Sequence, residues 1–111
     1  MLEKVYQFTE TDQKIIERIV DDGEINLNHV VLEPHESLPE HVSNANVYLV
    51  IVRGILSAQY GEQDVKGFPQ GTIVNVPFNT KMNLKNEEAA VLEFFIFKSP
   101  HPDKMRNGSI T

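Results

Sequence analysis

Short apolar segments, cut at close intervals by glycine and proline, most constrain what this chain can fold into. Val47 to Arg53 is β-branched and apolar on both faces, and it stops at Gly54. Ile55 to Tyr60 reads as its return strand. Ile25, Leu27, His29 and Val31 alternate with Asn26 and Asn28, the pattern of a half-buried strand. Gly67-Phe68-Pro69-Gln70-Gly71 reads as a turn, and Thr72 to Val76 as a strand that Pro77 stops. Met82-Asn83-Leu84 precedes a turn at 85–88, and Val91 to Phe97 is the last strong strand. Ile15 to Val20 is too short for its period to separate helix from strand, but Asp21-Asp22-Gly23 favours a hairpin into the next segment. With no sustained helical period, this spacing predicts an all-β sandwich or barrel.

A chain of 111 residues supports one domain with a single modest core. We place that domain at 1–98, with a strand near 3–9 packing on the barrel or on a partner, and a polar tail at 99–111 that is loosely docked. A formal charge of −6 without a Lys/Arg cluster argues against nucleic acid as a partner. The absence of cysteine removes disulfides and thiolate chemistry, and fits a reducing, cytoplasmic location. The apolar run Val47 to Val52 is far shorter than the roughly 20 residues a membrane helix needs, so no membrane association is expected.

Two stretches carry a resemblance. Pro39 to Gly54 reads P-E-H-V-S-N-A-N-V-Y-L-V-I-V-R-G, and Gly67 to Asn83 reads G-F-P-Q-G-T-I-V-N-V-P-F-N-T-K-M-N. Their turn residues and spacing resemble the two motifs of the cupin superfamily, over about Val30 to Phe97. The resemblance implies a double-stranded β-helix, a small jelly-roll barrel. It also implies four metal-ligand positions, which fall on His41, Ser43, Val47 and Met82. One imidazole, a hydroxyl, a valine and a thioether do not make the three or four N/O donors such metals need. The usual cupin metal is therefore disfavoured, and no cofactor is expected; His41 and His29 are the residual candidates for a divalent ion. His29 enters because its strand face could turn its ring inward beside His41.

The candidate pocket residues are His41, His29, Asn46, Asn75 and Met82. Asn44, Asn46, Asn75, Asn79 and Asn83 cluster around the motifs, and their amides can bind a polar ligand; Asn79, and to a lesser degree Asn44, also suit left-handed turns. Val47, Leu49, Ile51 and Met82 would line the lumen. Glu93 would have a raised pKa and suit proton transfer if it faced inward. His35 and His101 read as solvated loop and tail residues.

Three functions follow from this reading. The first is a binder of a small polar molecule in the barrel, without metal. The second is a small enzyme of isomerase or dioxygenase type using His41, with His29 in an altered metal site. The third is a structural or regulatory dimer with a filled barrel. A homodimer is expected in any case, because Tyr48, Val50 and Val52 would leave an apolar outer face. Val5, Tyr6 and Phe8 could cover that face, within the chain or exchanged with a second subunit.

Overall fold

The structure is a computed structural model that describes residues 2–104. Its strands are β1 (Ile15–Asp21), β2 (Asn26–Leu32), β3 (His41–Val42), β4 (Val47–Arg53), β5 (Ile55–Tyr60), β6 (Lys66–Pro69), β7 (Ile73–Val76), β8 (Lys81–Lys85) and β9 (Leu92–Lys98). One helical turn, α1 (Pro102–Lys104), follows. The strands form a five-stranded sheet in the order β1-β2-β9-β4-β7 and a four-stranded sheet in the order β3-β8-β5-β6. Every pairing within them is antiparallel. The chain is all-β, as the strand spacing predicts, and its two antiparallel sheets have the double-stranded β-helix architecture that the resemblance implies.

Alternation sorts the side chains between two faces. Val30, Leu32, Val47, Leu49, Ile51, Val76, Leu92, Phe94 and Ile96 from the first sheet meet Leu56, Ala58, Met82 and Leu84 from the second. Each large side chain so buried contributes about 1.5–3 kcal/mol, so this layer is the main source of stability. The continuous apolar run of β4 is now explained. Leu49 and Ile51 fill the lumen, while Tyr48 and Val50 lie half-buried on the outer face. A bulge between Ile51 and Arg53 leaves Val52 exposed and returns Arg53 to the outer face, opposite Glu93.

Gly54 ends β4 at φ 82°, where a Cβ would collide with the Val91 carbonyl oxygen. That close approach of two backbones holds the β4–β5 turn against the start of β9, and only glycine permits it. Ile15 to Val20 resolves as strand, because the turn at Gly23 folds it back onto β2.

Three local expectations are corrected. Residues 66–69 are not turn but an edge strand on β5, and Pro69 is tolerated at its last position because an edge leaves its missing N–H without cost. Residues 3–9 form no strand; at the end of this segment Phe8 packs against Phe95 on the outer face of the first sheet, and Thr9 bonds Glu17. The tail is not loose as far as Lys104. His101 is 8% exposed, its Nε2 lies 2.6 Å from Asp21 Oδ1, and its amide donates to the Glu24 carbonyl. The rest of the expected tail, 105–111, lies outside the described residues.

Candidate functional site

Because β4 and β5 turn at Gly54, Val47 and Tyr60 mark the opposite, open end of the barrel. Directly opposed residues of an antiparallel pair project to the same face. In the second sheet the pairs His41–Met82 and Met82–Tyr60 therefore form one inward row. In the first sheet Val76–Val47, Val47–Lys98 and Lys98–Asn26 form another. Met82, Val47 and Val76 fill the centre of this end and are at most 1% exposed. Polar side chains (His41, Tyr60, Asn26 and Lys98) surround that apolar floor.

The β3 side is closed by hydrogen bonds. Ser43 is buried; its Oγ donates to the Pro77 carbonyl at 2.7 Å and accepts from the Thr80 amide at 2.8 Å. The Asn79 amide donates to the Ser43 carbonyl, and Asn79 sits at φ 66°, the left-handed turn its type suits. Tyr60 differs. Its hydroxyl is buried and finds no partner among the described residues, and burial pushes its pKa up to about 12. Such a hydroxyl stays protonated and can both donate and accept. Beside it lies a cavity of about 290 Å³, lined by Tyr60, Gln63, Asn75, Val76, Pro77 and Thr80.

No known protein-family profile matches the chain. An uncharacterised protein of Methanocaldococcus jannaschii is 40% identical over 106 residues, covering 95% of this chain and 91% of that protein. Its crystal structure, described as an RmlC-like cupin family protein with a double-stranded β-helix fold, aligns at TM-score 0.92 with 39% identity over 96% of this chain and 98% of that one. The chain belongs to the RmlC-like cupin family. More distant likenesses show the same fold. A cupin superfamily protein of Desulfitobacterium hafniense aligns at TM-score 0.71 with 10% identity, covering 84% of this chain and 83% of that one. A Klebsiella pneumoniae protein with a double-stranded β-helix domain aligns at 0.72 with 14% identity, covering 86% and 79%.

The positions where metal-binding cupins place ligands do not fit a metal in this cupin. Ser43 spends its hydroxyl on the Pro77–Thr80 turn, Val47 offers no donor, and Met82 is packed into the core. His41 remains, half-buried, with Nδ1 3.1 Å from the Pro39 carbonyl. Among the described residues no group of three or more His, Cys, Asp or Glu is arranged to hold a metal ion.

His29 is not beside His41, and the expectation that its ring turns inward is corrected. Its neighbour Val30 opposes Phe94 in the lumen, so His29 faces outward with Phe95. There the wholly buried imidazole lies between two carboxylates, with Nδ1 2.7 Å from Glu17 Oε2 and Nε2 2.6 Å from Glu93 Oε2. Glu93, expected as a proton-transfer acid if it faced inward, faces outward and also accepts from Arg53 Nε at 3.0 Å. Arg53 in turn bonds Asp12 and the Thr11 carbonyl. A cavity of about 520 Å³ lies over this network, lined by Phe8, Glu10, Thr11, Asp12, Arg53 and Glu93. Its charges are largely spent on one another, whereas the barrel end holds polar atoms without partners.

Asn46 and Asn75 are brought together at the rim. Asn75 Nδ2 donates to Asn46 Oδ1 and to the Val47 carbonyl, each at 3.0 Å. Of the pair, Asn75 also lines the Tyr60 cavity. Sequence reasoning missed Tyr60, Asn26 and Lys98. The alternation that placed Met82 and Val47 inward would have placed Lys98 on the face of Phe94, but Tyr60 needed the β5–β8 register.

Proposed function

We propose that this cupin binds a small polar molecule at the open end of its barrel without a resident metal ion, and that it does so as a cytoplasmic homodimer. The observation that carries the reading is the buried, unpartnered Tyr60 hydroxyl beside the 290 Å³ cavity. A buried hydroxyl without a hydrogen bond costs about 1–3 kcal/mol, and a ligand that satisfies it recovers that cost on binding. Thr80, Gln63 and Asn75 add further polar groups to the wall. His41 and Met82 lie in the same inward row as Tyr60, but of the candidate pocket residues only Asn75 lines this cavity.

Titration of labelled protein with small polyols, amides and hydroxy acids, followed by NMR, tests the proposal. We expect at least one class to shift the Tyr60, Gln63 and Thr80 resonances, and Tyr60→Phe to weaken that binding about tenfold, the worth of one hydrogen bond. Tyr60→Phe should leave folding stability equal or slightly higher, because the orphan hydroxyl is gone. No shift with any compound, or equal affinity in the variant, overturns the site. Stoichiometric metal in protein purified without chelator overturns the metal-free part.

The second reading, a structural or regulatory dimer with a filled barrel, is favoured by the complete burial of Val47 and Met82 at ligand positions. It predicts that no compound in the titration binds while the dimer persists. An isomerase or dioxygenase role through His41 has lost His29 as a second ligand.

A further inference from the structure

Both fastenings of the N-terminal segment from Phe8 to Asp12 lead to one buried imidazole on the outer face of the first sheet. At one end, Glu17 accepts from the Thr9 amide at 2.8 Å and from the Thr9 hydroxyl at 3.0 Å. At the other, Arg53 donates to the Thr11 carbonyl and to Asp12. Arg53 is aimed in turn by Glu93, whose Oε1 accepts from Arg53 Nε at 3.0 Å. His29 lies between the two acids, with Nδ1 2.7 Å from Glu17 Oε2 and Nε2 2.6 Å from Glu93 Oε2. Its ring is closed to solvent and lies under Phe8, with a centroid distance of 4.8 Å.

An ionised carboxylate only accepts, so both contacts are hydrogen bonds only while a proton stands in each. A neutral ring between two ionised acids has one N–H and one lone pair. That lone pair would face a carboxylate oxygen at hydrogen-bond distance in a buried place, and the acid facing it must draw back. If Glu17 draws back, Thr9 loses both of its bonds. If Glu93 draws back, Arg53 loses the partner that aims it at Thr11 and Asp12. Nothing else around the ring replaces the missing proton. β1 and β9 contribute the two acids, Arg53 on β4 reaches Glu93 and not the ring, and Glu10 and Asp12 on the N-terminal segment are acids as well. On β2 itself the outward neighbours of His29, Leu27 and Val31, are apolar.

We propose that Glu17, His29 and Glu93 form a pH-sensitive latch on the segment from Phe8 to Asp12. One proton shared by the three side chains holds the segment closed at both ends, and loss of that proton as pH rises releases it. Release bares the His29 ring and Phe95, on which Phe8 packs. It also dismantles the cavity of about 520 Å³, whose wall includes Phe8, Glu10, Thr11 and Asp12 from the same segment. The latch lies on the outer face and is independent of the barrel end.

NMR of the full chain from neutral pH to about pH 9, following the His29 ring, the Phe8 ring and the Thr9 amide together, tests this. We expect the Phe8 ring protons to lose the shift that packing on His29 and Phe95 gives them, and the Thr9 amide to move toward an unbonded value. Both changes should share the midpoint of His29 deprotonation, while the core resonances of Leu49 and Phe94 stay in place. Glu93→Gln separates a latch from a merely structural contact. Its side-chain oxygen can still accept from Arg53, and its amide can donate to the Nε2 lone pair of a neutral ring, so the segment should stay closed where the wild type opens. His29→Gln should show no transition. Four wild-type results overturn the latch: Phe8 packed throughout His29 deprotonation, release at a different midpoint, a ring that keeps its proton throughout, or release only with loss of the core resonances. A Glu93→Gln or His29→Gln variant that opens as the wild type does overturns it too. The wild-type titration decides the matter if either variant fails to fold.

Discussion

His29 shows how a single residue's partners outweigh its type. Both ring nitrogens face carboxylate oxygens at 2.6 and 2.7 Å, and an ionised carboxylate can only accept. The arrangement is therefore satisfied when the ring carries both protons, or when one acid carries one. Phe8 and Phe95 pack against the ring with centroids 4.8 and 4.9 Å away, which excludes water from it. Replacing it by leucine keeps much of the volume and leaves Glu17 and Glu93 facing an apolar group. Breaking a fully buried pair costs more, but both acids keep some solvent, so His29→Leu should destabilise by about 2–3 kcal/mol. His29→Gln, which retains a donor, should lose less. Urea denaturation measures both, and a change under about 0.5 kcal/mol for leucine would show that the bridge holds little.

Above that residue, the segment from Phe8 to Asp12 is a strap fastened at two points. Glu17 accepts from the Thr9 amide at 2.8 Å and from its hydroxyl at 3.0 Å, and Arg53 holds Thr11 and Asp12. The Glu17 carboxyl is held below its ordinary value, first by the Thr9 amide and then by His29. A carboxyl whose folded pKa is depressed adds stability that is fully present above its unfolded value, near 4.5, and is lost as pH falls through the folded value. The Glu17 end of the strap should thus loosen in acid. The Thr9 amide chemical shift should hold steady from neutral pH to about pH 5 and move toward an unbonded value below the unfolded pKa. A Thr9 shift that does not move at any pH at which the protein is still folded would contradict this, as would a Glu17→Gln variant with the wild-type profile. The Arg53 bond to the Thr11 carbonyl should persist further, because neither a guanidinium nor a carbonyl titrates there.

At the scale of the whole molecule, the outer face of the five-stranded sheet remains incompletely covered. Tyr48, Val50, Phe95 and Phe97 are half-buried, while Ile73 is 66% and Val5 69% exposed. Phe8 covers part of this face from within the same chain, against Phe95. We expect light scattering to give twice the 12.6 kDa chain mass, and Val50→Asp to shift the protein toward monomer with reduced solubility. A clean monomer for the unaltered protein would sink the dimer. The sequence by itself determined most of the strands, the lumen residues of β4 and the family, but it read 66–69 as a turn and 3–9 as a strand. Alternation fixes which side chains share a face, and Gly54 and Gly23 fix where strands reverse. The family reading agrees with the 40% identity to the Methanocaldococcus jannaschii protein. It also determined that Ser43, Val47 and Met82 cannot form a metal set, since donor chemistry is a property of the residue alone. What it could not determine is which face points inward at β2, because His29 alternates as well with Leu27 and Val31 as an inward residue would. Only the pairing with β9 decided that, setting Val30 against Phe94 and sending His29 out to Glu17 and Glu93. The same long-range registers gathered Tyr60, Asn26 and Lys98 at one end of the barrel. Register is a contact between residues far apart in the chain, and no local pattern carries it.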